Sequence, residues 1–316
     1  MKKTVIALGG NALLPPDAEG FAAQRRTIRE SVAQLARLDE ERTLVLTHGN
    51  GPQVGNLMLE QESLDAADRR PLDVLGAESQ AQIGYQLEQE WRSQTGDPAV
   101  TTVSQTIVDP GDPAFDDPTK PVGPYYSKAE AEAKDFETRE VTTADGDVAY
   151  RRVVPSPDPI EIVEGEYIET LVEAGATVIS VGGGGVPVVP SDGGLEGVEG
   201  VIDKDRATQV LATSIDADEF VMLTDVPHVS LDFGTEDQRP LRDVDVETLE
   251  EHLDAGQFGV GSMRPKVEAA IEFVERGGDT SVITTPDRIH EALEGDAGTV
   301  VGSTPGVKMP EAPKGE

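Results

Sequence analysis

Three apolar runs, each breaking into glycine, constrain most strongly how this 316-residue chain can fold. The runs are Thr4–Leu8 before Gly9-Gly10-Asn11, Thr43–Thr47 before His48-Gly49-Asn50-Gly51, and Thr177–Val181 before Gly182-Gly183-Gly184-Gly185. A short unbroken apolar run bounded by turn signals reads as a strand buried on both faces, as in parallel sheets covered by helices. Glycine at the strand end lets backbone approach a neighbour closely. Successive amides at such a turn form a nest for anions such as phosphate.

The spacing between the runs supports the same architecture. Phe21 to Leu38 carries Ile28, Val32 and Leu35 at helical spacing and leads into the second run, a β-α-β unit that crosses over right-handedly. Further helices are predicted at Ala77–Trp91, Glu161–Glu173, Asp203–Ser214, Val246–Leu253, Pro265–Glu275 and Asp287–Glu294. Further strands are predicted at Ala99–Val108, Glu219–Thr224, Thr280–Thr284 and Thr299–Val301. Residues 109–159 break the alternation. Prolines 110, 113, 118, 121 and 124 punctuate a loop, a short charged helix follows, and Val141–Val154 has the pattern of a hairpin around Asp145-Gly146. That stretch reads as an inserted subdomain or lid, and residues 302–316 as a solvated tail.

Charge narrows the partners. Sixty acidic against 26 basic residues give a net charge of −34, dispersed along the chain rather than blocked. Dispersed acidity with few lysines fits a protein adapted to high salt, where self-repulsion is screened, and disfavours direct binding of nucleic acid. Cysteine is absent, which excludes disulfides, thiolate metal sites and a cysteine nucleophile. No window approaches the length of a membrane span, and a cytoplasmic location is the expectation.

Against this acidic background the nine lysines, at 2, 3, 120, 128, 134, 204, 266, 308 and 314, stand out. Lys204 sits between Asp203 and Asp205 at a helix start; Asp203 has the form of an N-cap and Lys204 that of a solvated or a positioned cation. Gly261-Ser262-Met263-Arg264-Pro265-Lys266 starts another helix, with Ser262 as its cap. Its first-turn lysine opposes the helix dipole unless an anion sits there. Lys120 lies in the proline-rich loop. His48 reads as a strand-end residue before a base, and the four histidines do not cluster for a metal. Walker and dinucleotide fingerprints are both missing.

In order along the chain, VIALGGNAL, THGNGPQVGN, TKPVGPYY, VVPSPDP, SVGGGGVPVV, VIDKDRA, MLTDV and GSMRPKVEAAIEFV resemble the carbamate kinases of the amino acid kinase superfamily, over about residues 3–301. The resemblance implies a three-layer α/β/α sandwich with a mostly parallel central sheet. It implies an N-terminal lobe, 1–200, for carbamate or carbamoyl phosphate, with a protruding subdomain at about 109–155. A C-terminal lobe, 201–301, would hold ATP or ADP. It also implies a homodimer and magnesium carried with the nucleotide, without direct protein ligands. Lys204 and Lys266 would flank the transferring phosphoryl group, Asp205 would orient them, and Lys120 would reach in from the subdomain. Gly9, Gly10, Asn11, Gly49, Asn50 and Gly51 would line the substrate site, with Gly182, Gly183 and Gly184 nearby. Asp225, Met263 and Lys266 would lie near the nucleotide. Many superfamily members place a lysine in the first glycine motif; here Gly9-Gly10 lacks it, and Lys120 could supply that charge.

The chemistry is consistent with the residues. Phosphoryl transfer needs alignment and charge neutralisation rather than a nucleophilic side chain. Three readings remain open at this level. One is a kinase making ATP in arginine catabolism; another is the same reaction run toward carbamoyl phosphate synthesis. The third is a non-catalytic sensor on the same scaffold.

Overall fold

A computed structural model of the chain describes residues 1–14, 20–38, 41–143, 146–259 and 263–302. Its centre is an eight-stranded sheet built on Lys2–Leu8, which pairs in parallel with Arg42–His48 on one side and Glu219–Leu223 on the other. Beyond Arg42–His48 lie Thr177–Ile179 and then Ala99–Thr101, both parallel. Beyond Glu219–Leu223 lie Thr280–Thr284, Thr299–Gly302 and Asp243–Asp245, with the Thr280–Thr284 and Thr299–Gly302 pair running antiparallel.

Side chains alternate across a strand, so the apolar runs feed two cores. Val5, Ala7, Val45, Phe220 and Met222 meet the helices Gly165–Glu173, Lys204–Ser214, Val246–Asp254 and Met263–Glu275. Ile6, Leu8, Leu44, Leu46 and Val221 meet Gly20–Leu35, Leu72–Thr95 and Ile289–Leu293, with Trp91 fully buried among them. This is the three-layer α/β/α sandwich expected from the sequence, and its core is large enough to hold the strand ends rigid.

Several elements differ from the sequence reading for physical reasons. Ala99–Val108 is two strands, Ala99–Thr101 in the main sheet and Gln105–Val108 in a second, four-stranded sheet. The break at 102–104 is made by hydroxyls: Thr102 and Ser104 both hydrogen-bond Ser180, each at 2.7 Å. Thr177–Val181 ends at Ile179, because Val181 takes a left-handed backbone, φ 51°. Residues 159–162 are a strand, and the helix predicted from Glu161 begins at Gly165. Helices Gly51–Glu62 and Leu72–Thr95 and strand Val186–Ser191 extend beyond what periodicity indicated. Residues 120–154 form a separate antiparallel sheet of Lys120–Tyr126, Val148–Val154 and Thr138–Thr142. Asp145 of the expected hairpin turn, the Ser262 cap and all of the tail except Gly302 lie outside the described residues.

Candidate active site at the carboxyl ends of the central strands

Leu8 is level with both His48 and Leu223 in the register, so three strands end in one row at the centre of the sheet. The chain runs outward from Lys2–Leu8 in both directions there, which opens a crevice beyond the strands' carboxyl ends. The crevice has a volume of about 370 Å³.

Glycines line its floor, and at Gly9 nothing larger fits. The Gly9 amide donates to the Leu223 carbonyl at 3.1 Å, and a Cβ on Gly9 would stand 2.4 Å from that oxygen. Gly49 donates to the Leu8 carbonyl at 3.1 Å, and the Lys204 side chain passes 3.6 Å from where its Cβ would be. Gly51 then opens the helix Gly51–Glu62, with Pro52 in its first turn. A helix start with free amides beside a glycine turn attracts anions. Gly183, at φ 65°, faces Asn50 so closely that a Cβ would meet the Asn50 amide at 2.2 Å. Asn50 Nδ2 in turn donates to Ser79 Oγ at 2.8 Å, which fixes the side chain at the cleft wall.

Charge enters from the other side. Asp203 caps the helix Lys204–Ser214, its Oδ1 accepting from the Asp205 amide at 3.0 Å. Asp205, almost wholly buried, accepts Lys204 Nζ on one oxygen and Lys266 Nζ on the other, the latter at 2.8 Å. Burial would raise the Asp205 carboxyl, but the two ammonium groups outweigh it and hold the acid below the ordinary carboxylate range. Burial lowers Lys204, with Asp205 opposing and Lys266 assisting; Lys266 is raised because Asp205 outweighs its burial. One carboxylate therefore orients two cations toward the same space. Lys120, first residue of its strand, reaches the cleft from the subdomain and pairs with Asp203 Oδ2 at 3.1 Å.

Gly9, Gly10, Gly49, Asn50, Gly51, Gly183, Lys120, Lys204, Asp205, Asp225 and Lys266 all line this crevice, as the sequence reading grouped them. Others do not face it. Gly182 packs behind the wall, where a Cβ would strike the His48 ring at 2.5 Å, and Gly184 backs onto the Ile202 carbonyl. The Met263 side chain packs against the apolar core. Of Asn11 only the backbone is described, in a short 3-10 turn at Gly10–Ala12. His48 is a strand-end residue: its Nδ1 donates to the Gly49 carbonyl at 3.0 Å, and burial pushes its pKa down to about 4.

The sequence reading missed three polar contributors. Arg151 of the subdomain lines the crevice, donates twice to the Gly123 carbonyl at 3.1 and 2.8 Å, and stacks over Tyr125. Burial lowers its pKa. Asp203, read as a cap and as a flanking carboxylate that positions Lys204, also bears Lys120. Thr224 stands beside Asp225 and donates to its carboxylate at 3.1 Å. For Arg151 the only local signal was a strand rich in arginine, which does not say which arginine turns inward.

Comparison with known proteins gives this geometry its context. A family model described as amino acid kinase family matches residues 2–285. Carbamate kinase from Halobacterium salinarum is 57% identical over 302 residues, covering 95% of this chain and 98% of its own length. Carbamate kinase from Pyrococcus furiosus is 46% identical, covering 95% of this chain and 99% of its own. Among solved structures, carbamate kinase from Giardia lamblia bound to AMP-PNP superposes with a TM-score of 0.87 at 39% identity, covering 95% of this chain and 98% of its own. The fold, the strand-end crevice and these likenesses converge: the chain belongs to the amino acid kinase family and, within it, to the carbamate kinases.

Proposed function

We propose that the crevice carries out the carbamate kinase reaction through its lysines and amides, and that it runs mainly toward ATP. In that direction the phosphoryl group leaves the carbamate oxygen of carbamoyl phosphate and is taken by a terminal phosphate oxygen of ADP, releasing carbamate. Negative charge spreads over the three peripheral phosphoryl oxygens as the old bond loosens. Lys204 and Lys266, held by one buried carboxylate, are set to neutralise it without reorganising, which is where electrostatic catalysis gains most. That shared carboxylate is the observation that carries the reading. The amides around Gly9, Gly10, Gly49 and Gly51 would hold the carbamate end, Lys120 and Arg151 would cover the phosphate from the subdomain, and Asp225 would lie toward the nucleotide.

Magnesium would be held by the nucleotide's phosphates rather than by protein side chains, and would supply charge screening there. Asp203 and Asp205 are engaged by lysines, and no group of three or more ligating side chains occurs among the described residues. A cation that keeps several waters and binds phosphate oxygens fits such a cleft. No helix among the described residues is long and apolar enough to cross a membrane. We place the enzyme in the cytoplasm, as a homodimer, making ATP during arginine breakdown. Residues 1–200 would serve carbamoyl phosphate and residues 201–301 the nucleotide.

The test is ATP formation from ADP and carbamoyl phosphate in concentrated potassium chloride. Lys204→Ala should lower turnover by about 10²–10³ with far less change in nucleotide affinity. Arginine at 204 should rescue poorly, since its planar fork does not replace a compact ammonium. Near-normal turnover in the alanine variant at saturating substrates would reject the assignment. Cells given arginine as their sole energy source should lose ATP when the chain is deleted; unchanged ATP would reject the direction.

A further inference from the structure

Residues 200–203 form a rail against which both root strands of the subdomain seat. The Val201 amide donates to the Pro155 carbonyl at 2.9 Å, just after the strand Val148–Val154. Gly200 lies so close that a Cβ would stand 3.3 Å from the same carbonyl. Lys120, paired in register with Val154, reaches Asp203 two residues further along the rail.

Asp203 uses its two oxygens differently. Oδ1 accepts from the amides of Asp205 and Arg206, at 3.0 and 3.4 Å, which locks the side chain as the cap of the helix bearing Lys204 and Asp205. Oδ2 is thereby aimed outward, where it takes the Lys120 ammonium at 3.1 Å. The other charged contacts of the subdomain sheet with the body are made away from the cleft, as in Arg152 with Glu199 and Lys134 with Glu62. Among the described residues, Lys120 with Asp203 is the one that lies in the cleft itself, with side chains 35% and 20% exposed.

We propose that Asp203 is a positioning residue that couples the subdomain to the catalytic helix: one carboxylate sets the helix start and fixes the place of the Lys120 ammonium. This rests on the reading that Lys120 acts on the phosphoryl group. A lysine on a flexible stem loses much of its effect if it must be ordered anew in each turnover. Freeing it from Asp203 should cost about tenfold in kcat/KM for carbamoyl phosphate, from lost side-chain ordering.

Asp203→Asn separates the two roles, because asparagine caps a helix as well as aspartate but offers no charge to the lysine. Asp203→Ser, also a capping residue with a shorter reach, serves as a second variant. Both should melt within a few degrees of the parent and lose about tenfold in kcat/KM for carbamoyl phosphate, with KM for ADP little changed. In a Lys120→Ala background, Asp203→Asn should produce no further loss. If the two losses multiply, Asp203 acts on something other than Lys120 and the inference is overturned while the role of Lys120 stands. If Lys120→Ala alone leaves kcat/KM unchanged, both fail. A melting temperature that falls in step with activity in both variants at 203 would reduce the residue to a structural cap.

Discussion

The crevice is bounded by two regions built on opposite principles. On the sheet side, Lys204, Lys266 and Asp205 are largely removed from water, and the Asp205 carboxylate holds both lysines. On the subdomain side, Lys120 and Arg151 sit on a thin three-stranded sheet tied down by partly exposed ion pairs, hydrogen bonds and stacking. A buried charge is costly unless partnered, so the first region has one arrangement of low energy. Exposed pairs are worth roughly 0–1 kcal/mol each, so the second can shift without unfolding the rest. One side supplies precision and the other access, a division suited to a substrate that must be enclosed during transfer and then released.

The largest effect should be global and should blur this difference. A net charge of −34 repels itself, and potassium chloride at molar concentration shortens the screening length to about 3 Å. Thermal midpoint and activity should both rise from low to molar salt. A midpoint that does not move would remove salt adaptation from the account of this composition.

Removing the centre of the rigid side should come next. Asp205→Asn leaves two buried ammonium groups without their shared anion, a change that costs about 3–5 kcal/mol in comparable buried pairs. Denaturant unfolding in high salt would measure the stability loss, and turnover should fall with it. If Asp205→Asn cost no more than an exposed pair, the contrast between the two walls would collapse.

Much of the rigid side was legible in the sequence, because buried strands, glycine turns and a helix cap each leave a local signature. The cleft's floor followed from apolar runs ending at the Gly9 and Gly49 turns, and its wall at Gly183 from the run ending in Gly182–Gly185. Lysine scarcity drew notice to residues 120, 204 and 266 before their positions were known. What stayed hidden depended on partners distant in sequence. Val181 takes a left-handed backbone that no β-branched residue announces. Gly182 and Gly184 look like their neighbour Gly183, yet pack against His48 and Ile202 while Gly183 faces the cleft. Arg151 and Arg152 are adjacent in one strand, and only pairing with Lys120–Tyr126 decides that Arg151 meets the Gly123 carbonyl while Arg152 turns to Glu199. Asp203 was readable as a cap, but its second role needed the subdomain to be folded against it.

His48 offers a sharper probe of the sheet side, through pH. Its folded pKa is depressed to about 4 from the ordinary 6.5, so as acid is added the unfolded chain takes the proton first. The stability this neutral imidazole contributes is present above pH 6.5, is lost as pH falls toward 4, and amounts to about 3 kcal/mol over that window. Acid also discharges carboxylates and eases self-repulsion, so the quantity to follow is the difference between the parent and His48→Gln. The parent should lose stability more steeply between pH 6.5 and 4. Parallel slopes would mean that the ring is hydrated in solution and that the strand ends are looser than their packing indicates.

The smallest effect should belong to the subdomain's outer fastening. Glu62, near the end of the helix Gly51–Glu62, accepts from the Tyr126 hydroxyl and from Lys134 Nζ, the latter at 2.5 Å. Lys134 also lies 4.4 Å above the Tyr126 ring. Burial would raise the Glu62 carboxyl, but Lys134 and Tyr126 together lower it, and burial, joined by the same contact, raises the Tyr126 hydroxyl. A depressed carboxylate contributes stability above its unfolded pKa and loses it as pH falls through the folded value, so this fastening should weaken only in acid. At neutral pH, Lys134→Ala removes a partly exposed pair and a cation–π contact, about 1 kcal/mol together. Because the body of the protein does not depend on that contact, global unfolding should scarcely change. Amide exchange in Lys120–Tyr126 and Thr138–Thr142 should instead quicken several-fold, while amides of Lys2–Leu8 and Glu219–Leu223 keep their protection. Exchange that quickened equally in all four strands would show the subdomain and the central sheet to be one cooperative unit, and the looser wall would then have to be explained without independent motion.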